Sequence, residues 1–348
     1  MGPVRVLVVD DSAFMRMAIR RILEEAPDIK VVDVARDGVE AVEKAVSLQP
    51  DVVTLDINMP RMDGLTALFH ITAQTRAKVV MISSLTQEDA LTTLEALHLG
   101  AVDFVPKPDG TVSLGIGRLA REIVDKVRAA ARARTPVRHR HEPVRKERHT
   151  LGPALGLDRV VFIGVSTGGP QTLEEILPEL PADLAAAVIV VQHMPPRFTS
   201  SLAARLDQYC RLTVREAEEG MEVHNGLVLV APGGQHLLFR RQGGKLICRL
   251  SHQPEDSDFK PSVGVTLQAL MAAFDPRRTI GVMLTGMGDD GADAMAELRR
   301  RGGWTVVESE ETAVVWGMPR ATIERGGADA VEPSYRIAET IWRKVGSR

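Results

Sequence analysis

The stretch VRVLVVDDSAFMRMAIRRI, residues 4–22, contains the repeating unit of the fold. Its apolar run at residues 4–9 is typical of a buried strand, which Asp10 and Asp11 end abruptly. Apolar side chains at helical spacing then predict one buried helix face, formed by Phe14, Met17, Ala18 and Ile22. A strand that leads directly into a helix is the first half of a βαβ unit.

The same unit recurs along the chain. Further apolar runs in the first third lie at residues 31–34, 52–55, 79–82 and 104–105. After residue 156 they return at residues 160–163, 188–191, 227–230, 280–284 and 305–307, with hairpin-like sequence at residues 233–250. Strands joined by crossover helices form doubly wound parallel sheets, whose sites lie at the carboxyl ends of the strands. The sequence therefore predicts two α/β domains, a flavodoxin-like one followed by a Rossmann-like one.

A basic segment separates the two domains. Residues 126–150 include nine Lys or Arg but only two Asp or Glu, and they contain Pro136 and Pro143 without an apolar period. This composition indicates a solvated linker. We therefore predict a first domain at residues 1–125, a linker at 126–156 and a second domain at 157–348.

Composition excludes several classes of protein. A hydrophobic content of 44% with 26% charged residues is typical of a soluble globular protein, and 4% aromatic residues argues against a base-stacking surface. Cys210 and Cys248 lack the spacing of a disulfide framework or a zinc site. No apolar run approaches the length of a membrane span. We expect a cytoplasmic protein that neither binds nucleic acid nor inserts into a membrane.

Acidic residues end two strands of the first domain. Asp10 and Asp11 end the first strand, and Asp56 ends the third. Three carboxylates at one edge of a sheet repel each other unless a cation or a proton lies between them. All-oxygen ligands, with the Asn58 carbonyl as a possible further donor, favour Mg²⁺ over zinc.

The next two strands end in Ser83 and Lys107. A nucleophilic carboxylate, a cation site, a hydroxyl and an ammonium are the groups that phosphoryl transfer to an aspartate needs. The segments VLVVDDSAFMR, PDVVTLDINMPRMDG, VVMISS and GAVDFVPKP resemble a response-regulator receiver domain. The resemblance implies the following roles: phospho-acceptor Asp56, Mg²⁺ ligands Asp10 and Asp11, phosphoryl contact Lys107, switch hydroxyl Ser83 and switch aromatic Phe104.

The pentapeptide GVSTG, residues 164–168, stands between a strand and a helix in the second domain. It fits the GxSxG pattern of a nucleophile elbow that exposes Ser166. The glycines also suit a phosphate-binding turn, but the phosphate-loop lysine and the spacing GxGxxG are absent. The next strand ends in Gln192 and His193, where a dinucleotide fold would carry an acid.

A histidine and an acid at other strand ends complete a possible triad. His193 follows the second strand of this domain, and Asp289 and Asp290 follow the strand at residues 280–284. Because the carboxyl ends of parallel strands share one rim, Ser166 and these groups can meet without being adjacent in sequence. From the residues alone, the acid of the triad is Asp289 or Asp290. The alternative is that this segment only supplies the N-cap of the helix that follows. The order Ser, His, Asp disfavours α/β-hydrolases, in which the acid precedes the histidine.

The segments GVSTGGP, VVQHMPPRFT, LVLVAPGGQH, LTGMGDDGADAM and VVWGMPR resemble the catalytic domain of the chemotaxis protein-glutamate methylesterases. With the receiver in front, this resemblance spans the chain except the linker. It implies a hydrolase that removes methyl esters from glutamates of methyl-accepting chemotaxis receptors and deamidates receptor glutamines. A chemotaxis histidine kinase is then the phosphoryl donor, and the receiver gates the esterase. The family's acid directly precedes a glycine, which selects Asp290.

Further expectations concern the reaction itself. Backbone N–H groups near Thr167 and Met287 are expected to bind the oxyanion, and the Thr167 hydroxyl is a candidate to position His193. The esterase reaction is expected to need no cofactor. Two alternatives remain open at this point: a second domain that only binds a partner, and a nucleotide-binding enzyme that uses Gly168 and Gly169.

Overall fold

The computed structural model describes residues 2–84, 86–107, 116–133 and 156–346. The chain divides into two compact units, Met1–Ala133 and Arg134–Arg348. Residues 134–155 of the predicted linker lie outside the described residues, and the domain boundaries given above stay predictions. Among the helices that the structure describes, none is both long and apolar enough to cross a bilayer.

Within the described residues, the first unit is a five-stranded parallel sheet with five helices. Its strands are β1 (Val4–Val9), β2 (Ile29–Ala35), β3 (Val52–Asp56), β4 (Lys78–Ser83) and β5 (Asp103–Pro106). Its helices are α1 (Ala13–Glu24), α2 (Gly38–Leu48), α3 (Gly64–Gln74), α4 (Gln87–Leu99) and α5 (Ile116–Arg132). The strand order β2-β1-β3-β4-β5 is that of a flavodoxin-like doubly wound sheet, as predicted.

Helix α1 buries a different face from the one that the sequence predicted. Ile19 and Leu23 are buried, whereas Phe14 is 54% and Met17 is 68% exposed. The prediction that Phe14 and Met17 face the core is therefore wrong. Apolar side chains lie on more than one face of α1, and spacing alone does not decide which face packs on the sheet.

The second unit contains a seven-stranded parallel sheet and a small antiparallel sheet. Its strands are β6 (Val160–Val165), β7 (Ala187–Gln192), β8 (Thr213–Glu216), β9 (Glu222–Val223), β10 (Leu227–Val230), β11 (His236–Gln242), β12 (Lys245–Ser251), β13 (Thr279–Met283), β14 (Trp304–Glu308) and β15 (Ala330–Glu332). Its α-helices are α6 (Gly169–Ile176), α7 (Phe198–Tyr209), α8 (Val263–Ala273), α9 (Ala292–Arg300), α10 (Gly317–Glu324) and α11 (Ser334–Gly346). Short 3₁₀ helices lie at Leu177–Glu179 and Pro276–Arg278. The predicted hairpin is the antiparallel pair of β11 and β12.

In the large sheet, whose strand order is β15-β14-β13-β6-β7-β10-β8, β6 lies between β13 and β7. The chain passes from β6 to β7 on one side and later returns as β13 on the other, which is a topological switch point. Both β6 and β7 are buried along their whole length, as expected for central parallel strands covered on two faces. In the registers of these three strands, Val165 pairs with Gln192 and Gly164 with Met283. The residues that follow β6, β7 and β13 therefore share one edge.

Candidate active site

Ser166 directly follows β6, in a tight turn that leads into α6. Its N–H donates to the Thr285 carbonyl at 2.9 Å, and its own carbonyl accepts from the N–H of Gly169 at 2.8 Å. Gly168 has φ +79°, and a Cβ there would approach the side chain of Val314 to 2.6 Å. Both the backbone conformation and the close approach therefore require glycine at 168.

His193 follows β7 and contacts both other members of the predicted triad. Its Nδ1 lies 3.2 Å from Ser166 Oγ, and its Nε2 lies 2.8 Å from Asp290 Oδ2. An ionised carboxylate only accepts hydrogen bonds, so Nε2 carries the hydrogen and Nδ1 is left to accept the serine hydroxyl. In the usual serine protease arrangement the two nitrogens have the opposite partners.

The carboxylate of Asp290 also accepts three hydrogen bonds from the start of α8. Ser262 Oγ donates to Oδ1 at 2.9 Å, the N–H of Gly264 to the same oxygen at 3.0 Å, and the N–H of Val263 to Oδ2 at 2.7 Å. Burial by itself would raise the pKa of Asp290, but the bond to His193 and these amides outweigh it and hold the pKa below its usual value. Asp290 is therefore ionised and fixed in direction.

The neighbouring acid, Asp289, has a different partner. Its carboxylate lies 2.5 Å from the guanidinium of Arg325, and its side chain is exposed. The structure thus brings Asp290, and not Asp289, to His193.

Met287 follows a peptide that lies against the serine. The Gly286 carbonyl accepts from the N–H groups of Gly317 at 3.0 Å and Met318 at 2.8 Å, at the start of α10. Because the peptide unit is planar and trans, this also fixes the Met287 N–H, which points to the opposite side. A Cβ on Gly286 would approach Ser166 Cβ to 2.9 Å. The VVWGMPR segment therefore fixes the direction of the Met287 N–H, the predicted oxyanion donor, and the peptide before it lies close to Ser166.

Thr285 links the serine turn to a buried glutamate. Its hydroxyl donates to the carbonyl of Thr167 at 2.9 Å, and its N–H donates to Glu308 Oε2 at 2.8 Å. The other oxygen of Glu308 accepts from Thr312 Oγ1 at 2.9 Å. Burial raises the pKa of Glu308 to about 7 against these two hydrogen bonds. Sequence reasoning missed this residue, although an acid that ends the apolar strand WTVVE is an available signal.

Three further side chains near the triad were also missed. Phe259 stacks on His193, with ring centroids 4.1 Å apart and an interplanar angle of 2°. Gln192 and Ser262 contact backbone or carboxylate groups of the triad. Only Gln192 had a sequence signal, as a polar residue at the end of the apolar strand before His193.

The first unit gathers its carboxylates at the corresponding edge of its own sheet. Asp10, Asp11 and Asp56 each offer an oxygen within 4.8 Å of the others. Lys107 Nζ lies 3.0 Å from Asp10 Oδ2 and 2.9 Å from Asp56 Oδ1. Burial, together with the charges of Asp10 and Asp11, raises the pKa of Asp56 to about 6, although Lys107 opposes this. Clustered carboxylate oxygens fit Mg²⁺.

Three more residues were predicted for the phosphorylation site of the first unit, namely Asn58, Ser83 and Phe104. The Asn58 side-chain amide donates to Asp89 Oδ1 at 2.9 Å. The buried hydroxyl of Ser83 accepts from Thr93 Oγ1 at 2.7 Å, and Phe104 is buried. The assignments of Asn58 as a metal ligand and of Ser83 and Phe104 as switch residues stay predictions.

Two family models match the chain. Residues 6–114 match the response regulator receiver domain, and residues 161–341 match the CheB methylesterase. The chain belongs to the CheB methylesterase family. Its first unit contains a receiver domain and its second a methylesterase domain, which confirms the predicted family and the predicted class of enzyme, a carboxylic ester hydrolase.

Relatives of this CheB family member match along nearly their whole length. A protein-glutamate methylesterase/protein-glutamine glutaminase of Caldanaerobacter subterraneus subsp. tengcongensis is 55% identical, over 98% of this chain and 96% of its own. A protein of the same name from Archaeoglobus fulgidus is 49% identical, over 97% of both chains. The crystal structure of the Thermotoga maritima CheB methylesterase catalytic domain matches with a TM-score of 0.52 and 44% identity, over 55% of this chain and all of that one.

Proposed function

We propose that this CheB family member hydrolyses the γ-methyl esters of glutamates on methyl-accepting chemotaxis receptors and deamidates receptor glutamines. We assign Ser166, His193 and Asp290 as its catalytic triad. The observation that carries the proposal is the unbroken series of contacts from Ser166 Oγ through both nitrogens of His193 to Asp290. The names of the full-length relatives support the choice of glutamyl and glutaminyl side chains as substrates.

The first half of the reaction forms an acyl-enzyme. Ser166 Oγ attacks the ester carbonyl carbon while His193 Nδ1 takes the hydroxyl proton. Asp290 accepts the Nε2–H bond throughout and stabilises the imidazolium. When the tetrahedral intermediate collapses, the carbon–methoxy bond breaks and the imidazolium gives its proton to the leaving oxygen, which departs as methanol. A glutamine substrate loses ammonia at the same step.

Water then completes the cycle. His193 Nδ1 takes a proton from water as the water oxygen bonds to the acyl carbon, and it returns the proton to Ser166 Oγ as that bond breaks. In both halves of the reaction, the N–H groups of Met287 and Thr167 donate hydrogen bonds to the carbonyl oxygen on which the negative charge develops. Loss of one such donor typically slows an enzyme by about 10²–10³. The fixed Gly286 carbonyl supports the assignment of Met287.

The receiver domain supplies the control. We assign Asp56 as the acceptor of a phosphoryl group from the chemotaxis histidine kinase, and Asp10, Asp11 and Asp56 as the residues that would hold Mg²⁺. When bound there, Mg²⁺ neutralises phosphoryl oxygens. Lys107 holds a positive charge beside Asp56 and is placed to contact the same group. Phosphorylation then raises the activity of the methylesterase domain. Action on the cytoplasmic helices of receptors places the enzyme in the cytoplasm.

Methanol release from a methylated receptor fragment tests the proposal. The full chain is compared with Ser166→Ala, and with Ser47→Ala as a matched control on an exposed position of α2. We expect release to fall by at least about 10³-fold in Ser166→Ala, since only binding and the oxyanion donors remain. The control should match the parent. Methanol release by Ser166→Ala equal to that of the parent would contradict the assignment of Ser166 as the nucleophile.

A further inference from the structure

The side chain of Gln192 ties the backbones of the two reacting residues together. Gln192 is the last residue of β7, and its Nε2 lies 3.0 Å from the carbonyl of Ser166 and 3.1 Å from the carbonyl of His193. A primary amide has two N–H donors, so both bonds form at once. Since both partners are carbonyl oxygens, which only accept, the Nε2 end of the amide and not Oε1 must face them.

The side-chain amide of Gln192 continues the hydrogen bonding between β6 and β7 beyond their last backbone pair. The backbone ladder of β6 and β7 ends where the N–H of His193 donates to the carbonyl of Val165 at 3.2 Å. Ser166 donates its own N–H to Thr285 on the other side, so the ladder itself does not join Ser166 to His193. The two bonds from Gln192 make that join.

Gln192 is retained at a cost in stability. It is 2% exposed, and among the described residues its Oε1 has no hydrogen-bond partner. A buried acceptor left unpaired destabilises the folded state. The fold also makes room for this amide, because a Cβ at Gly169 would overlap Gln192 Oε1. An apolar side chain would remove this unpaired acceptor but would also leave the carbonyls of Ser166 and His193 without these donors. The function of the amide therefore lies in its two N–H groups.

We infer that Gln192 is a positioning residue, whose amide sets the separation of Ser166 Oγ and His193 Nδ1, and that Gly169 is glycine to admit it. The inference rests on the proposed triad. A misplacement of reacting groups by about 1 Å can cost about 100-fold in rate. We therefore expect Gln192→Met, which keeps the length but lacks donors, to lower kcat by about 10- to 100-fold with KM nearly unchanged.

The rate at which a fluorophosphonate labels Ser166 measures the serine-histidine geometry without a receptor substrate. The full chain, Gln192→Met, Gln192→Glu and the control Gln268→Met, on an exposed position of α8, are compared for labelling, kcat, KM and melting temperature. Gln192→Glu preserves the shape but loses at least one of the two donors, because a carboxylate only accepts and a carboxylic acid has a single O–H. It provides a second variant for the test if the Met variant does not fold. Both variants should label about 10- to 100-fold more slowly per folded molecule, at a temperature at which the melting curve of each variant shows it to be folded.

Two outcomes overturn the inference, and a third overturns the proposed function on which it rests. Labelling within twofold of the parent excludes a positioning role for Gln192, and so does a loss that is matched by an equal loss of folded protein. A parent chain that is not labelled at Ser166 instead removes the proposed nucleophile, which separates failure of the function from failure of this inference.

Discussion

The ring of Phe259 lies parallel to that of His193, with centroids 4.1 Å apart and planes inclined by 2°. One face of the imidazole is thus covered, which limits rotation of the ring and keeps its two nitrogens directed at Ser166 and Asp290. Aromatic pairs contribute about 0.5–1.5 kcal/mol beyond the area they bury, so we expect Phe259→Leu to lower kcat by about 2- to 10-fold.

The stack also has a spectroscopic signature. Loss of the overlying ring current should move the proton resonance of His193 Cε1–H downfield in Phe259→Leu, while Phe259→Tyr should leave it nearly in place. Phe69→Leu, at an exposed position of α3, serves as the control. A His193 resonance that does not move in Phe259→Leu contradicts the stacked geometry.

A second prediction concerns Asp290→Asn. Two donors, Ser262 and Gly264, reach Oδ1, whereas Oδ2 accepts one N–H, that of Val263. We therefore expect the asparagine oxygen at the position of Oδ1 and its amide nitrogen facing His193 Nε2. The amide then donates to Nε2, which moves the imidazole hydrogen to Nδ1 and leaves no acceptor for the Ser166 hydroxyl. By analogy with the same change in other triads, we expect kcat for methanol release to fall by about 10⁴-fold.

The neighbouring acid provides the control for that substitution. Asp289→Asn removes a charge that faces Arg325 and not the triad, so its kcat should stay near that of the parent. If Asp289→Asn were the more damaging of the two, the acid of the triad would have to be reassigned.

Glu308 makes the stability of the methylesterase domain depend on pH. Burial raises its pKa from 4.5 to about 7, so the folded state favours the neutral acid. The stabilisation of the folded state by this raised pKa is fully present below pH 4.5 and is lost as the pH rises through 7. It amounts to about 3 kcal/mol of unfolding free energy. Glu308→Gln has no proton to lose. The difference in unfolding free energy between the two proteins should therefore shift in favour of the variant between pH 4.5 and 8.

Urea unfolding of the parent and Glu308→Gln, followed through the methylesterase-domain transition at several pH values, measures this difference. Titrating groups that do not interact with Glu308 are common to both proteins and cancel; Glu175, whose charge helps to raise the pKa of Glu308, is counted with it. Parallel stability curves would show that Glu308 has the same pKa in the folded and unfolded states.

The proximity of the three residues of the proposed triad was predictable because each follows a strand of one parallel sheet. The carboxyl ends of such strands meet by topology, so Ser166, His193 and Asp290 needed no knowledge of side-chain conformation. The choice of Asp290 over Asp289 rested on family resemblance. In the structure the two acids differ in their partners. N–H groups at the start of α8 donate to Asp290, whereas Asp289 pairs with Arg325.

Features that depend on packing were not predictable. The core face of α1 was assigned to Phe14 and Met17, because several apolar spacings fit one helix and only the sheet selects among them. Phe259 reaches His193 from a loop whose course has no periodic pattern in sequence. Gln192 was visible as a polar residue at a strand end, but its two partners depend on a side-chain conformation that Gly169 permits.

The last prediction concerns the receiver. Lys107 joins Asp10 and Asp56 at one edge of the sheet, and Asp11 brings a third carboxylate within reach of the same cation. Phosphorylation of Asp56 requires that this negative charge be neutralised, so it should depend on Mg²⁺. Phosphoramidate with Mg²⁺ should therefore raise methanol release by the full chain, and chelation of Mg²⁺ should prevent the rise.

Coupling between two sites is typically worth about 5- to 150-fold, and we expect the activation to lie in that range. Asp56→Asn should keep the unstimulated rate and lose the response, because the amide cannot accept the phosphoryl group. Ser166→Ala should still take up phosphate while it releases no methanol, which separates the chemistry of the receiver from that of the triad. An Asp56→Asn protein that phosphoramidate still activates would show that the signal enters elsewhere, and would remove Asp56 from the control of the esterase.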